Sequence, residues 1–181
     1  MEGWMNRCTL CPRRCGADRT VSVGRCGVGE QVRLARAALH FWEEPCVSGE
    51  EGSGTVFFSG CSLGCVFCQN YQISAGHFGR DIPVERLAEI FLELQEQKAN
   101  NINLVTGGHY IPQIVRALDL VRGKLHIPVV YNSSGYETVE ALRMLKGYVD
   151  VYLPDLKYRS PERGARYSHA PDYFAVASKA I

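Results

Sequence analysis

The chain has 181 residues, 46% of them hydrophobic, which is typical of one globular domain with a substantial core. Its 20 basic and 19 acidic side chains nearly cancel, so the charge favours neither a nucleic acid nor a membrane surface as partner. The amino terminus lacks the apolar core of a signal peptide, and no segment approaches the ~18 consecutive apolar residues of a membrane span. We therefore expect a cytoplasmic protein that binds neither nucleic acid nor a membrane.

The cysteines are unevenly distributed along the chain. All eight fall within the first 68 residues, at positions 8, 11, 15, 26, 46, 61, 65 and 68. In an intracellular chain the reducing thiol pool disfavours disulfides, so tight cysteine clusters more often hold a metal. The sequence therefore predicts local metal sites in this part of the chain, with disulfides as the less favoured alternative.

The first cysteine group comprises Cys8, Cys11, Cys15 and Cys26. Four thiols are a full ligand set for one tetrahedral zinc ion or for one iron–sulfur cluster. A cluster could relay electrons, whereas zinc would only staple the segment, and the residues leave both identities open. Cys46 has no partner at a suitable spacing, and we interpret it as a small buried hydrophobic residue.

Residues 1–53 differ in character from the rest of the chain. They are rich in Cys, Gly and Arg, and we expect them to form an N-terminal cap on a main domain of residues 54–181. Within the cap, the apolar stretch from Val32 to Trp42 predicts a strand or a hairpin.

In the main domain, short β-rich runs alternate with amphipathic stretches. The runs TVFFSG, NINLVTGG, IPVVYN and VDVYLPDLK predict four strands. Apolar residues recur at helical spacing from Leu87 to Leu94, from Ile111 to Val121 and from Val139 to Leu145, and residues 171–181 also have a helical pattern. Strands separated by such helices imply right-handed crossovers and a parallel sheet. The sequence therefore predicts an α/β fold with four β/α units.

In parallel α/β folds, the reactive groups collect at the carboxyl ends of the strands. Four segments follow the predicted strands, namely the cysteine loop at 61–68, Thr106–His109, Asn132–Gly135 and Asp155–Lys157. Ordinary turns would also account for the glycine-rich segments, because Gly, Asn and Ser are common turn formers, but they would not account for the cysteines. We expect the four segments to converge on one face of the sheet.

The cysteine loop contains Cys61, Cys65 and Cys68, and this set is one thiol short of a closed metal site. A structural zinc ion needs four ligands, and His77 is the available candidate for the fourth. A 4Fe-4S cluster also normally takes four thiolates. Three thiolates would leave one iron without a protein ligand, and a substrate could then chelate that iron.

These residues match a known family. The pattern Cys61-x3-Cys65-x2-Cys68, with Phe67 before the last cysteine and a strand before the loop, resembles the radical S-adenosylmethionine (radical SAM) superfamily. More narrowly, FFSGCSLGCVFCQNYQIS, NINLVTGGHY, YNSSGYE and YLPDLKY are similar to the branch of pyruvate formate-lyase activating enzyme-like proteins. The resemblance covers nearly the whole chain from Cys8 onward. It implies a partial parallel (β/α) barrel with about four of six β/α units present, capped by the cysteine-rich segment.

The resemblance also implies a 4Fe-4S cluster and S-adenosylmethionine (SAM) as cofactors. Cys61, Cys65 and Cys68 would ligate the cluster, whose remaining iron would bind the amino and carboxylate groups of SAM. Reductive cleavage of SAM would give methionine and a 5′-deoxyadenosyl radical that abstracts hydrogen from a substrate. A reductant such as flavodoxin or ferredoxin would supply the electron, and the branch suggests a partner protein as substrate.

Further residues are carried over from the family by position. Phe67 would pack near the adenine, and Gly107 and Gly108 match the glycine turn that receives the methionine amino group. Many members have Gly-Gly-Glu here, whereas this chain has His109, for which an exposed turn histidine is an equal interpretation. The other expected cofactor contacts are Asn132, Ser133, Ser134, Asp155 and Lys157. A weak surface ion pair is the alternative interpretation of the last two residues.

Two further expectations concern the whole chain. Because only four of the six units are found, we expect a fragment or a companion chain that completes the barrel, together with weak stability and a tendency to associate. The rival functions are a ferredoxin-like electron carrier and a zinc-stapled binding module. Neither rival needs an open cluster position.

Overall fold

The computed structural model describes residues 3–181 and contains one mixed six-stranded sheet with helices. The strands are β1 (Val32–His40), β2 (Ser53–Phe58), β3 (Arg80–Ile82), β4 (Ile102–Val105), β5 (Val129–Ser133) and β6 (Val151–Pro154). The helices are α1 (Gly3–Asn6), α2 (Pro45–Ser48), α3 (Tyr71–Ser74), α4 (Val84–Glu96), α5 (Ile111–Leu120), α6 (Val139–Met144), α7 (Pro161–Ser168) and α8 (Tyr173–Ala180). The order of strands in the sheet is β3-β1-β2-β4-β5-β6.

The four strands predicted for the main domain form the parallel part of the sheet. Strand β2 pairs with β4, β4 with β5 and β5 with β6, each in parallel register. Helices α4, α5 and α6 make the connections between these strands. The prediction of an α/β fold with a parallel sheet is confirmed, and the arrangement is consistent with a partial radical SAM barrel.

The cysteine-rich segment contributes to the sheet itself. The stretch predicted as a strand or a hairpin forms the single strand β1, which pairs antiparallel with β2 and with β3. One strand of this segment therefore extends the sheet beyond β2 in antiparallel register. Strand β3 has three residues, which are too few to show an alternating pattern in the sequence.

The helices predicted from apolar spacing are confirmed. In α4 the residues Leu87, Phe91 and Leu94 are buried, and α5 buries Ile114 and Leu118 in the same way. The longest helix is α4 with 13 residues. Among the described helices, none is long and apolar enough to cross a membrane.

Helix α7 has no counterpart in the sequence predictions. Its buried residues are Gly164 and Ser168, so it has no apolar stripe that would reveal it. Its start is fixed by Ser160, whose side chain accepts a hydrogen bond from the Arg163 N–H, and by Pro161 in the first turn.

The apolar residues form two separate cores. The larger core lies between the sheet and helices α4 and α5, and includes Phe58, Leu87, Phe91, Ile102, Leu104, Ile114 and Leu118. The smaller core consists of Leu63, Tyr136, Tyr158, Ala170, Tyr173 and Ala177. Cys61 and Cys65 pack against the smaller core. The carboxyl-terminal part of the chain therefore packs against the cysteine loop and supports it.

Strand β6 is an edge strand, as the sequence predicts. Its residues Val151 and Tyr152 are exposed. An exposed edge presents unpaired backbone groups, to which another strand can add.

The larger core sets the stability of the sheet, and Phe91 is fully buried in it. We expect Phe91→Ala to lower the free energy of unfolding by about 3–5 kcal/mol, because it removes buried apolar surface and leaves a cavity. Urea titration followed by circular dichroism would measure this. The matched control Glu96→Ala changes an exposed position of the same helix and should shift stability by less than about 0.5 kcal/mol. Equal losses in both variants would contradict the assignment of Phe91 to the core.

Candidate active site

A cavity of about 750 Å³ opens at the carboxyl ends of the parallel strands. The cysteine loop forms one wall, and the segments after β4, β5 and β6 form the others. The predicted site residues in its lining are Cys61, Cys65, Phe67, Cys68, Asn132, Ser133, Ser134, Asp155 and Lys157. The expected convergence on one face is therefore present. Gly107 and Gly108 are not part of the lining and lie behind the wall, whereas Thr106 is part of it.

The path of the cysteine loop is set at its first two residues. Gly60 has φ +82°, and a Cβ on it would lie 2.5 Å from the Cys26 carbonyl oxygen. Only glycine accepts both this conformation and this close approach. The N–H of Cys61 then donates to the same carbonyl oxygen at 3.2 Å. The loop is thereby attached to the N-terminal segment at the point where it leaves β2.

Two opposing effects act on the pKa of the Cys61 thiol. Burial raises its pKa, because a thiolate there loses contact with water, while the N–H groups of Gly64 and Leu63 act in the opposite direction. The N–H of Gly64 lies 3.5 Å from the sulfur. These N–H groups are oriented to stabilise negative charge on the sulfur once a metal has displaced the proton.

Phe67 lies at the mouth of the cavity and is 57% exposed. Its ring makes edge contacts with Tyr158 and Tyr167, at centroid distances of 6.1 and 6.2 Å. Tyr158 belongs to the smaller core, so this core supports one side of the Phe67 ring. The rest of the Phe67 side chain is exposed to water. The free face is available to stack on a planar group.

The glycine turn after β4 is tightly packed from behind. Thr106 has φ +59°, which is strained for a β-branched residue and is typical of functional sites. A Cβ on Gly107 would lie 2.6 Å from the Ile114 side chain, and a Cβ on Gly108 would lie 3.1 Å from a carboxylate oxygen of Glu137. A side chain at either position would therefore have to displace the side chain of Ile114 or of Glu137.

Glu137 is a buried carboxyl group that the sequence reasoning missed. Burial raises its pKa to about 7, and the hydroxyl of Ser133 donates to it at 3.2 Å. It adjoins the turn at which many family members have a glutamate and this chain has His109. A glutamate beside a turn is usually solvated, so the sequence carries no signal for its burial.

His109 is 2% exposed, so the interpretation as an exposed turn histidine is wrong. Its Nε2 lies 2.7 Å from the Ser59 carbonyl oxygen, and burial lowers its pKa to about 4. The ring is therefore neutral at pH 7, with its N–H donated to Ser59. His109 links the glycine turn to the end of β2.

The two polar segments at the ends of β5 and β6 differ in their bonding. Tyr173 donates its hydroxyl proton to the Ser134 carbonyl oxygen at 2.7 Å, which fixes the backbone of that turn. Lys157 and Asp155 form an ion pair at 2.5 Å. The pair is partly exposed, and such pairs contribute little to stability, so both charges are available to a ligand.

Strand β1 and the loop after it supply a wall of the cavity that the sequence did not reveal. Arg36, His40, Trp42 and Glu43 line the cavity from this side. The sequence predicts a strand here without indicating that it pairs with β2. Without that pairing, these side chains cannot be assigned to the cavity.

All eight cysteines are free thiols. Cys46 is exposed, so its interpretation as a buried residue is wrong; Val47 takes the buried position in the short helix α2. The ring of His77 packs against Gly27 in the N-terminal segment. Within residues 3–181, no group of three or more His, Cys, Asp and Glu side chains is arranged to hold a single metal ion. Metal ligation by either cysteine group stays a prediction.

The residues present fit a 4Fe-4S cluster with SAM. Three thiols line one wall and would leave one cluster iron without a protein ligand. The volume lies within the range of small-molecule sites, and the Asp155–Lys157 pair can face an amino acid of both charges. In donor chemistry and in size the cavity suits this pair of cofactors.

The burial of Glu137 predicts a dependence of stability on pH. The folded carboxyl keeps its proton up to about pH 7, whereas the unfolded one loses it near pH 4.5, so stability falls as the pH rises through this window. Glu137→Gln lacks this loss and should gain up to about 3 kcal/mol over the natural chain between about pH 5 and pH 8. Denaturant titrations at both pH values would measure the gain, and exposed Glu140→Gln serves as the control. If the difference in unfolding free energy between Glu137→Gln and the natural chain did not change with pH, the raised pKa of Glu137 would be contradicted.

Comparisons with known proteins identify a family and a relative of this chain. The model of the radical SAM superfamily matches residues 55–176. An uncharacterized protein of Methanocaldococcus jannaschii is 36% identical over 180 residues, which cover 95% of this chain and 52% of that protein. The chain thus spans about half the length of the curated relative it matches. No solved structure matches the chain.

The family model covers the strand–loop–helix units that build the cavity, from β2 into α8. Three thiols at the mouth of the first unit are the feature by which this family binds its cluster. The chain belongs to the radical SAM superfamily, whose members cleave SAM at a 4Fe-4S cluster.

Proposed function

We propose that this chain uses radical SAM chemistry to abstract a hydrogen atom from a partner protein and so activates that partner. The observation that supports a protein substrate is the aromatic mouth of the cavity. Trp42 and Phe67 both line it and are 89% and 57% exposed. Large exposed aromatic side chains are typical of protein contact sites, because a partner gains much apolar area by covering them.

When bound, the cluster and SAM supply reductive cleavage of the sulfonium and a carbon radical able to abstract hydrogen. The chain's own residues would hold and orient the cluster and SAM. Cys61, Cys65 and Cys68 would ligate the cluster, and the Asp155–Lys157 pair would face the amino acid end of SAM. Thr106 lines the cavity, and the turn that follows it is anchored by the buried His109.

The resemblance suggests a glycyl radical enzyme as the partner class and a flavodoxin or ferredoxin as the electron donor. Strand β1 carries Arg36 in the cavity wall, which offers a cationic contact to an incoming chain. The rival electron carrier and zinc module do not need a cavity of this size beside an incomplete thiol set. The cavity therefore favours an enzyme.

The cluster assignment is tested by SAM cleavage. We expect Cys65→Ala to abolish the release of 5′-deoxyadenosine from the anaerobically reconstituted, reduced chain, because two thiols cannot hold the cluster. Cys46→Ala removes an exposed thiol outside the cavity and should keep the release. Liquid chromatography of the products would measure both. Equal release by the two variants, or none by the natural chain, would contradict the assignment.

The partner assignment is tested at the aromatic mouth. With a candidate glycyl radical enzyme present, electron spin resonance should show a protein-centred radical on the partner. We expect Trp42→Ala to raise the partner concentration for half-maximal radical formation by roughly 10–30-fold, since buried tryptophans often dominate interfaces. The neighbouring Phe41→Ala is the control, because Phe41 packs against Gly52 and does not line the cavity. Equal effects of the two changes would exclude the mouth as the contact surface.

A further inference from the structure

The four cysteines of the N-terminal segment lie outside the cavity described above. We propose that Cys8, Cys11, Cys15 and Cys26 hold a second iron–sulfur cluster, ligated by four thiolates and seated against the loop that carries Cys61. The proposal rests on the folding of the segment, on its backbone donors, on a buried cation and on its contacts with that loop.

The segment folds so that the four thiols face a common region. The N–H of Cys8 donates to the Ala17 carbonyl oxygen and the N–H of Gly16 to that of Cys8, both at 2.9 Å, which closes a loop around Cys11 and Cys15. A Cβ on Gly24 would lie 3.3 Å from the Cys26 sulfur and 3.5 Å from the Cys15 sulfur. Cys11 in turn lies within electrostatic range of the other three thiols.

Backbone N–H groups lie near three of these sulfurs and influence their pKa values. The backbone N–H of Arg13 acts to lower the pKa of Cys11, and that of Val28 the pKa of Cys26. For Cys15 the N–H groups of Arg25 and Ala17 act in the same direction. Burial raises the pKa of Cys11 and of Cys26, and these N–H groups oppose that effect by favouring negative charge on sulfur, the form that binds metals.

A buried cation without a carboxylate partner lies beside the group. Arg19 is 2% exposed and donates to the carbonyl oxygens of Gly29 and His109, and it forms no ion pair with any described carboxylate. A buried charge is costly unless an opposite charge compensates it. Arg19 acts electrostatically on Cys26. A thiolate-ligated centre carries net negative charge and would supply the missing partner.

The segment is attached directly to the radical SAM loop. Besides the bond between Cys26 and Cys61, Arg13 donates to the carbonyl oxygens of Ser62 and Leu63 at 2.9 and 3.1 Å. Arg13 lies between two of the four cysteines, and Ser62 and Leu63 lie between Cys61 and Cys65. A centre in the N-terminal segment therefore lies next to the first cluster site.

A cluster suits the arrangement better than a zinc ion. Zinc holds its thiolates at about 2.3 Å in a tight tetrahedron, whereas a cubane of iron and sulfide holds them further apart. Among residues 3–181, no three such side chains converge for a single ion, and this finding includes Cys61, Cys65 and Cys68 in the family's cluster loop. The finding also includes the four N-terminal thiols, whose arrangement is not that of a closed tetrahedral site for one ion.

The test is a metal count on full-length variants, reconstituted anaerobically with iron, sulfide and equimolar zinc. The natural chain should hold about eight iron atoms, and a variant with Cys61→Ala, Cys65→Ala and Cys68→Ala about four. In that triple variant, added SAM should leave the electron spin resonance spectrum of the reduced cluster unchanged, since thiolates ligate every iron. Replacing the four N-terminal cysteines by alanine should instead leave about four iron atoms that respond to SAM. Cys46→Ala is the control and should retain about eight.

One zinc ion and no iron in the triple variant would overturn the proposal, as would a natural chain with about four iron atoms. Because the natural chain is counted as well, a variant that does not fold leaves the test valid. The triple variant lacks the SAM site, so its iron content is independent of whether the chain cleaves SAM or acts on a partner.

Discussion

The site depends on one close approach between two backbone segments. The Cys26 carbonyl oxygen accepts the Cys61 N–H at 3.2 Å and leaves no space for a side chain on Gly60. This contact fixes the direction in which the chain leaves β2 and therefore where the first thiol stands. Everything that follows in the loop, including Leu63 in the smaller core, depends on that direction.

Around this contact, the site is supported from several sides. The parallel strands bring their carboxyl ends to one face, and the larger core behind them keeps the strands in register. The smaller core holds the loop from below, and Arg13 and Arg19 attach the N-terminal segment to the loop and to the glycine turn. The reactive face is thus built jointly by parts of the chain that are distant in sequence. Its precision comes from hydrogen bonds to backbone carbonyls, which few substitutions elsewhere can disturb.

Local patterns predicted much of the fold and of the site. Helical spacing revealed α4 and α5, and the cysteine spacing after a strand located the loop, because both signals lie within a few residues. Long-range pairings were not accessible in this way. The antiparallel placement of β1, and with it Arg36 in the cavity wall, depends on a partner strand some twenty residues away.

Burial was the other limit of sequence reasoning. His109 and Glu137 occupy polar turns that usually face water, and nothing in their neighbourhood signals that tertiary packing buries them. Cys46 was predicted to be buried and is exposed, because its four-residue helix buries only one side, which carries Val47 and Ser48. Residue type predicts exposure on average, whereas at a site the packing of distant segments decides it.

The Arg13 guanidinium also imposes an order of assembly. One of its acceptors, the Ser168 carbonyl oxygen, lies 155 positions further along the chain. During synthesis the four N-terminal cysteines leave the ribosome long before Arg13 can bond to Ser168, because Ser168 is the last residue of α7. Contacts so distant in sequence close late. The contacts that hold this segment against the cysteine loop are therefore completed only after α7 has formed.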